Sequence, residues 1–250
     1  MTSTFFSESV INQLSPSDLE FFQRIWRTDV AVYQNRLKAI GFEKCDNVLD
    51  AGCGFGQWSI ALSSLNNFIY SFDNHNGRIA ALRELITRMN ITNIFPSVQF
   101  IHDLSYDNDF FDAIFCYGVI MFSDYTKVIK EFFRILKPGG KVYICANGLG
   151  WYLHNLIDTH NSSENFDSRQ MAIDTIKATL RFLRSGIYTS PCQIIIPSED
   201  LVSELTRSGF EIIQKGGEGT INLTNQEISP FFKSTYYNEE GVYEVLARKL

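Results

Sequence analysis

The stretch VLDAGCGFGQWSIAL, residues 48–62, joins an apolar strand to a glycine-broken turn and then to an apolar helical pattern. Val48 and Leu49 read as the end of a buried strand, and Trp58 to Leu62 resumes helical spacing. Between them, Gly52, Gly54 and Gly56 let the chain turn tightly and leave out the Cβ atoms that would keep a ligand away from the main chain. Strand, glycine turn and helix in that order make a binding loop at a strand tip.

The rest of the chain supplies the sheet for such a loop. Strands are expected at about 47–50, 68–73, 98–101, 111–116 and 141–146, separated by helical patterns such as 78–89 and 125–136. Alternation of this kind gives a parallel sheet with helices on both faces, and ligands then sit at the carboxyl ends of the strands. Asp50, Asp73, Asp103 and Tyr117 all fall at those ends. Upstream, Ser15, Pro16 and Asp18 form a helix start, and Phe22, Trp26, Tyr33, Leu37 and Ile40 make the apolar stripe of one long helix that Gly41 stops. Downstream, Ser198 caps a helix over 198–208 that Gly209 stops, and 210–215 and the run from Val242 read as strands.

A glycine-rich turn alone leaves the ligand open. The dinucleotide pattern GxGxxG wants a third glycine where this chain has Gln57, and it does not call for a carboxylate where this chain has Asp50. An acidic residue followed by GxGxG, here DAGCGFG over 50–56, resembles motif I of the class I S-adenosylmethionine-dependent methyltransferases. Four further landmarks follow in that family's order. FIYSFD ends at Asp73, and VQFIHD ends at Asp103, with His102 where the family commonly has glycine. NDFFDAIFCYGVIMF (108–122) is similar to the fourth strand and LKPGGKVYIC (136–145) to the fifth.

The resemblance implies an α/β fold: a Rossmann-like, doubly wound, mostly parallel seven-stranded sheet with an antiparallel last strand, an N-terminal helix and a helical insertion after strand five. It divides a single domain into a helical cap (1–41), a cofactor-binding core (42–147), an insertion or substrate lid (148–197) and a C-terminal helix and strand hairpin (198–250). The cofactor it implies is S-adenosylmethionine, leaving as S-adenosylhomocysteine. Gly52, Cys53 and Gly54 would touch the methionine part through main chain, with Asp50 near its ammonium group. Asp73 would receive the ribose hydroxyls and Asp103 the adenine amino group, while Asn74 and Leu104 flank the adenine ring and Tyr117 lines the methionine channel.

Composition narrows the acceptor. The chain of 250 residues carries a formal net charge of −6 and shows no cluster of Lys and Arg, so nucleic acid is not the expected partner. The five cysteines have no CxxC spacing, and neither a disulfide framework nor a metal site is expected. MTSTFFSESVINQL lacks the features of a signal peptide and no long apolar run occurs, so the expectation is a cytoplasmic protein without a membrane anchor. Methyl transfer to an oxygen or nitrogen of a small molecule follows by elimination. His154, inside GWYLHNLIDTH, is the candidate general base with Tyr152 beside it; His75 and His102 border the cofactor or solvent, and His160 caps or is exposed. Ile173, Ile176, Leu180 and Leu183 fall at helical spacing, which suits a helix packed on the core, a substrate lid or a homodimer face. Two other functions stay open: a non-catalytic cofactor-binding partner subunit, and a nicotinamide-dependent oxidoreductase.

Overall fold

The computed structural model describes residues 5–250; the first four, which belong to the stretch read above for targeting signals, lie outside the described residues. The parallel strands are β1 (Asn47–Ala51), β2 (Phe68–Asp73), β3 (Ile94–Val98), β4 (Phe111–Tyr117) and β5 (Leu136–Asn147). After them come β6 (Phe210–Gly217), a short hairpin of β7 (Thr235–Tyr236) and β8 (Glu239–Glu240), and β9 (Val242–Lys249). The seven-stranded sheet has the order β3-β2-β1-β4-β5-β9-β6, with β9 antiparallel to both β5 and β6. Chain order reverses between β1 and β4, so the crevice of a doubly wound sheet opens beyond Ala51 and Tyr117. Alternation along β1 sends Val48 and Leu49 to opposite faces, each into its own buried cluster.

The helices are α1 (Glu8–Ile11), α2 (Pro16–Ile25), α3 (Val30–Ala39), α4 (Gln57–Ser63), α5 (Asn76–Arg88), α6 (Tyr125–Ile135), α7 (Leu149–Ile157), α8 (Ser168–Ser185) and α9 (Ser198–Arg207). None of the described helices is long and apolar enough to cross a membrane.

Four expectations are corrected. The single N-terminal helix is two, because the Asp29 side chain accepts from Ala31 N at 2.8 Å and starts α3 afresh; Ser15 and Asp18 do form a reciprocal capping box on α2, and Gly41 follows α3 at φ +72°. The third strand is 94–98 rather than 98–101. Pro96 cannot donate to a ladder and so argues against a central strand, but β3 lies at the sheet edge, where that loss is tolerated. Ser198 is the first helical residue of α9, with Pro197 as the cap position. Finally, the fully buried face of α8 carries the small residues Ala172, Thr175 and Ala178, while of the apolar stripe Ile173 and Ile176 are half-buried and Leu180 and Leu183 exposed.

Candidate functional site

The tips of β1 and β2 are stitched together by main chain. Gly52 N and Cys53 N both donate to Phe72 O, at 2.9 and 2.8 Å. Gly54 N then donates to Asp73 Oδ2 at 3.1 Å, and His75 N to Asp73 Oδ1 at 2.9 Å. The turn needs its glycines: Gly52 has φ +77° and a Cβ there would stand 2.4 Å from the Val119 side chain, while one on Gly56, at φ +81°, would meet Leu82 at 2.2 Å. Cys53 is buried, and burial pushes its thiol up, so it offers the site main chain only.

Asp50 lies beneath this turn. Ser71 Oγ donates to Ser59 Oγ at 2.9 Å, and Ser59 Oγ to Asp50 Oδ2 at 2.6 Å. Burial, with the nearby charge of Asp73 adding to it, raises the Asp50 carboxyl to about 7. Two buried carboxylates thus share one crevice, and their hydrogen bonds come from a serine and from main chain rather than from a cationic side chain. Close by, Gln57 Oε1 at the start of α4 is buried with no hydrogen-bond donor among the described residues, and Trp26 Nε1 at the end of α2 is buried with no acceptor among them.

Three segments outside the sheet roof this rim. The cap comes first: Phe22 meets Phe55 of the glycine turn edge-on at 5.3 Å, and Phe21 lies 5.9 Å from the same ring. Arg78 holds the cap down through Asp18, donating from Nε at 2.9 Å and Nη2 at 2.7 Å, with His75 Nε2 3.7 Å away. Burial works against the Asp18 charge, but hydrogen bonds from Ser15 and Arg78 outweigh it and hold the carboxyl below its ordinary range. The insertion after β5 reaches the same helix, where Ser163 and Asn165 both donate to Glu20. The segment between β6 and β9 joins through Glu218, which is paired with Arg36 of α3. Two surface cavities, of about 460 and about 500 Å³, lie elsewhere, one beside α6 and α9 and the other beside α3 and α4.

The remaining expected residues divide. Asn74 follows Asp73 and is exposed. Asp103 is displaced: β3 ends at Val98, and Asp103 sits beyond it in an exposed turn, donating its N–H to Phe100 O at 3.0 Å. The residue beside Asp73 is instead Gln99, whose N–H reaches Asp73 O at 3.2 Å, followed by Phe100, 59% exposed. An apolar residue in an apolar run reads as strand interior, so the exposure of Phe100 carries no signal in the sequence. Leu104 is buried in the core, its N–H held by Glu131 Oε1 at 3.1 Å. The Tyr117 hydroxyl donates to Glu218 Oε1 at 2.9 Å and its ring lies 5.0 Å from Trp58, which turns the side chain toward the roof network. Tyr152 is fully buried and donates to Gln193 Oε1 at 2.8 Å; this is a core position, which corrects its expected place beside an acceptor. His154 occupies the last turn of α7, stacked on Tyr236 at 4.4 Å.

A family model described as a methyltransferase domain matches residues 48–140, the span from β1 into β5. Over that span the chain is similar to the class I methyltransferases. The demethylmenaquinone methyltransferase of Geobacillus sp. (strain WCH70) is 30% identical over 125 residues, 47% of this chain and 49% of that protein. That of Listeria monocytogenes serotype 4a (strain HCC23) is 31% identical over 114 residues, 42% and 46% of the two chains. The chain therefore spans about half the length of the curated relatives it matches. Among solved structures, a geranyl diphosphate methyltransferase in complex with S-adenosylmethionine superposes with TM-score 0.64 at 14% identity, covering 95% of this chain and 94% of that one. The [4+2]-cyclase SpnF gives 0.60 at 15% identity, covering 88% and 80%. At these identities the likeness is one of fold, and this methyltransferase fold carries more than one reaction.

Proposed function

We propose that this protein binds S-adenosylmethionine across Asp50, Gln57 and Asp73 and transfers its methyl group to an oxygen or nitrogen of a small-molecule acceptor. The observation that carries the reading is the pair of buried carboxylates without a cationic side chain among their hydrogen-bond partners. Buried charges are normally paired, so such a crevice favours a ligand that brings positive charge of its own. The unpaired Gln57 Oε1 is a ready acceptor for an ammonium group, and Trp26 Nε1 a donor for a carboxylate. Asp73 keeps acceptor capacity for ribose hydroxyls beyond its two main-chain bonds. Phe100, exposed beside Asp73, replaces Asp103 and Leu104 as the surface for the adenine ring. A dinucleotide fits worse, because its pyrophosphate would set further negative charge near Asp50.

When bound, the donor supplies a methyl group already activated on a sulfonium. What remains for the chain is alignment and the exclusion of water. Phe21, Phe22 and Phe55 supply an apolar lid over the glycine turn, and the insertion reaches the lid through Glu20. Acceptor specificity then resides in these roof segments, which lie outside the matched span of 48–140. The net charge of −6 suits a small molecule rather than a nucleic acid. No general base is part of the proposal: Tyr152 is committed to Gln193, and the His154 ring is stacked on Tyr236 with the His160 ring 4.5 Å away.

The test is calorimetry with S-adenosylmethionine, S-adenosylhomocysteine and NAD, followed by transfer of a labelled methyl to fractionated metabolites. Binding of the first two with label appearing in a small molecule supports the proposal. Binding without transfer to any acceptor identifies the non-catalytic partner subunit, and binding of NAD alone identifies the oxidoreductase.

A further inference from the structure

The end of α7 brings together two imidazoles and a carboxylate that the proposed reaction does not use. One ligand atom each of His154, Asp158 and His160 lie within 4.8 Å of one another. The local chain accounts for the grouping. His154 O accepts from Asp158 N at 2.7 Å and closes the helix, and Asp158 then turns the chain back by accepting from His160 N at 3.0 Å on Oδ1. That turn sets the His160 ring 4.5 Å from the His154 ring and its Nδ1 3.5 Å from Asp158 Oδ1. The Tyr236 ring, stacked on His154 at 4.4 Å and 18°, fixes one side of the group, while His160 and Asp158 are half exposed and open to solvent.

We propose that His154, Asp158 and His160 form a binding site for a divalent transition-metal ion of the zinc, cobalt or nickel class. Two neutral imidazoles and one carboxylate suit borderline ions, whereas magnesium and calcium take oxygen ligands. Metal–ligand bonds of about 2.0–2.2 Å set donors roughly 3–3.5 Å apart, so the three side chains need turn inward by only about 1 Å. Three protein ligands leave the coordination open to water. Lys233 sets positive charge within electrostatic reach of His154.

The position gives the ion a structural task. Asp158 and His160 open the loop whose far side, Ser163 and Asn165, grips Glu20 on α2. An ion joining that loop to α7 fixes the insertion and, through Glu20, the cap above the glycine turn.

The experiment uses the full chain without a polyhistidine tag, stripped by chelator, titrated with Co²⁺ by visible spectroscopy and with Zn²⁺ by calorimetry. Hydrogen exchange of the 158–167 loop is followed in parallel. The expected result is one ion per chain, cobalt bands of nitrogen and oxygen ligation, slower exchange in the loop, and no competition from Mg²⁺. His160→Ala, at an exposed position that does not threaten folding, should weaken binding at least about tenfold, and Asp158→Asn should weaken it too. Absence of saturable binding overturns the site. So does binding that survives His160→Ala and vanishes when the half-buried thiols of Cys45 and Cys192 are alkylated.

Discussion

Arg36 Nη2 lies 2.5 Å from Glu218 Oε1, and both side chains are buried. The pair joins α3 to the segment between β6 and β9, and its remaining polar groups are satisfied. Glu218 also accepts from the Tyr117 hydroxyl and from Phe231 N at 2.7 Å, and Arg36 Nη1 donates to Ser229 O at 3.3 Å. The second acid, Glu244, holds Thr220 N, Ile221 N and the Tyr143 hydroxyl, and lies 3.6 Å from Arg36. Removing one member leaves the others buried without their counter-charge.

Arg36→Ala should therefore cost about 3–5 kcal/mol of stability, the range for breaking one side of a buried pair. Urea denaturation measures it. A loss below about 1 kcal/mol would place the pair with ordinary surface ion pairs.

Asp18→Ala should loosen the cap without unfolding the sheet, because it removes the Arg78 bonds and one half of the α2 capping box. Cofactor release followed by stopped-flow fluorescence should quicken about tenfold, equivalent to about 1.4 kcal/mol. An unchanged rate would mean that the ligand leaves by a path the cap does not cover.

Asp50 gives a pH dependence whose sign is fixed. Its carboxyl is raised from 3.8 to about 7, so the folded chain holds the proton more tightly than the unfolded chain. The stability it contributes is full below the unfolded value and is lost as pH rises through about 7. Melting curves of the ligand-free protein should fall between about pH 4 and about pH 7 and level off above it, and Asp50→Asn should flatten that part. Affinity for a cationic ligand runs the other way, rising with pH as Asp50 ionises. Equal pH slopes in the wild type and the Asn variant would remove Asp50 from both effects.

How much of this was legible beforehand follows from which interactions are local. The glycine turn, the tips at Asp50 and Asp73 and the Ser15 capping box are set by neighbours in sequence, and each stands where the residues implied. The third strand was misplaced because Pro96 is tolerated only at an edge, and strand order is not written in a single strand. With the strand ending at Val98, Asp103 lies in an exposed turn beyond it, Leu104 is buried and Phe100 is exposed beside the β2 tip. The α8 stripe was read from its spacing, yet its small face is the buried one, because partner choice between helices is a tertiary matter. The Arg36–Glu218 pair spans most of the chain, and no local pattern announces it.

Phe100→Ala should reduce cofactor affinity by about 0.5–1.5 kcal/mol, the range for one aromatic contact, with little change in melting temperature since the ring is exposed. Parallel titration of Asp103→Ala, expected to be neutral, separates the two assignments.

The carboxylates at the tips of β1 and β2 are proposed to hold S-adenosylmethionine. Isothermal titration of that molecule into the wild type and Asp73→Ala, with circular dichroism to confirm that both are folded, tests it most directly. The expected result is one saturable site in the wild type, weakened by about 1–3 kcal/mol in the variant. No binding to the folded wild type, or equal affinity in both proteins, would contradict it.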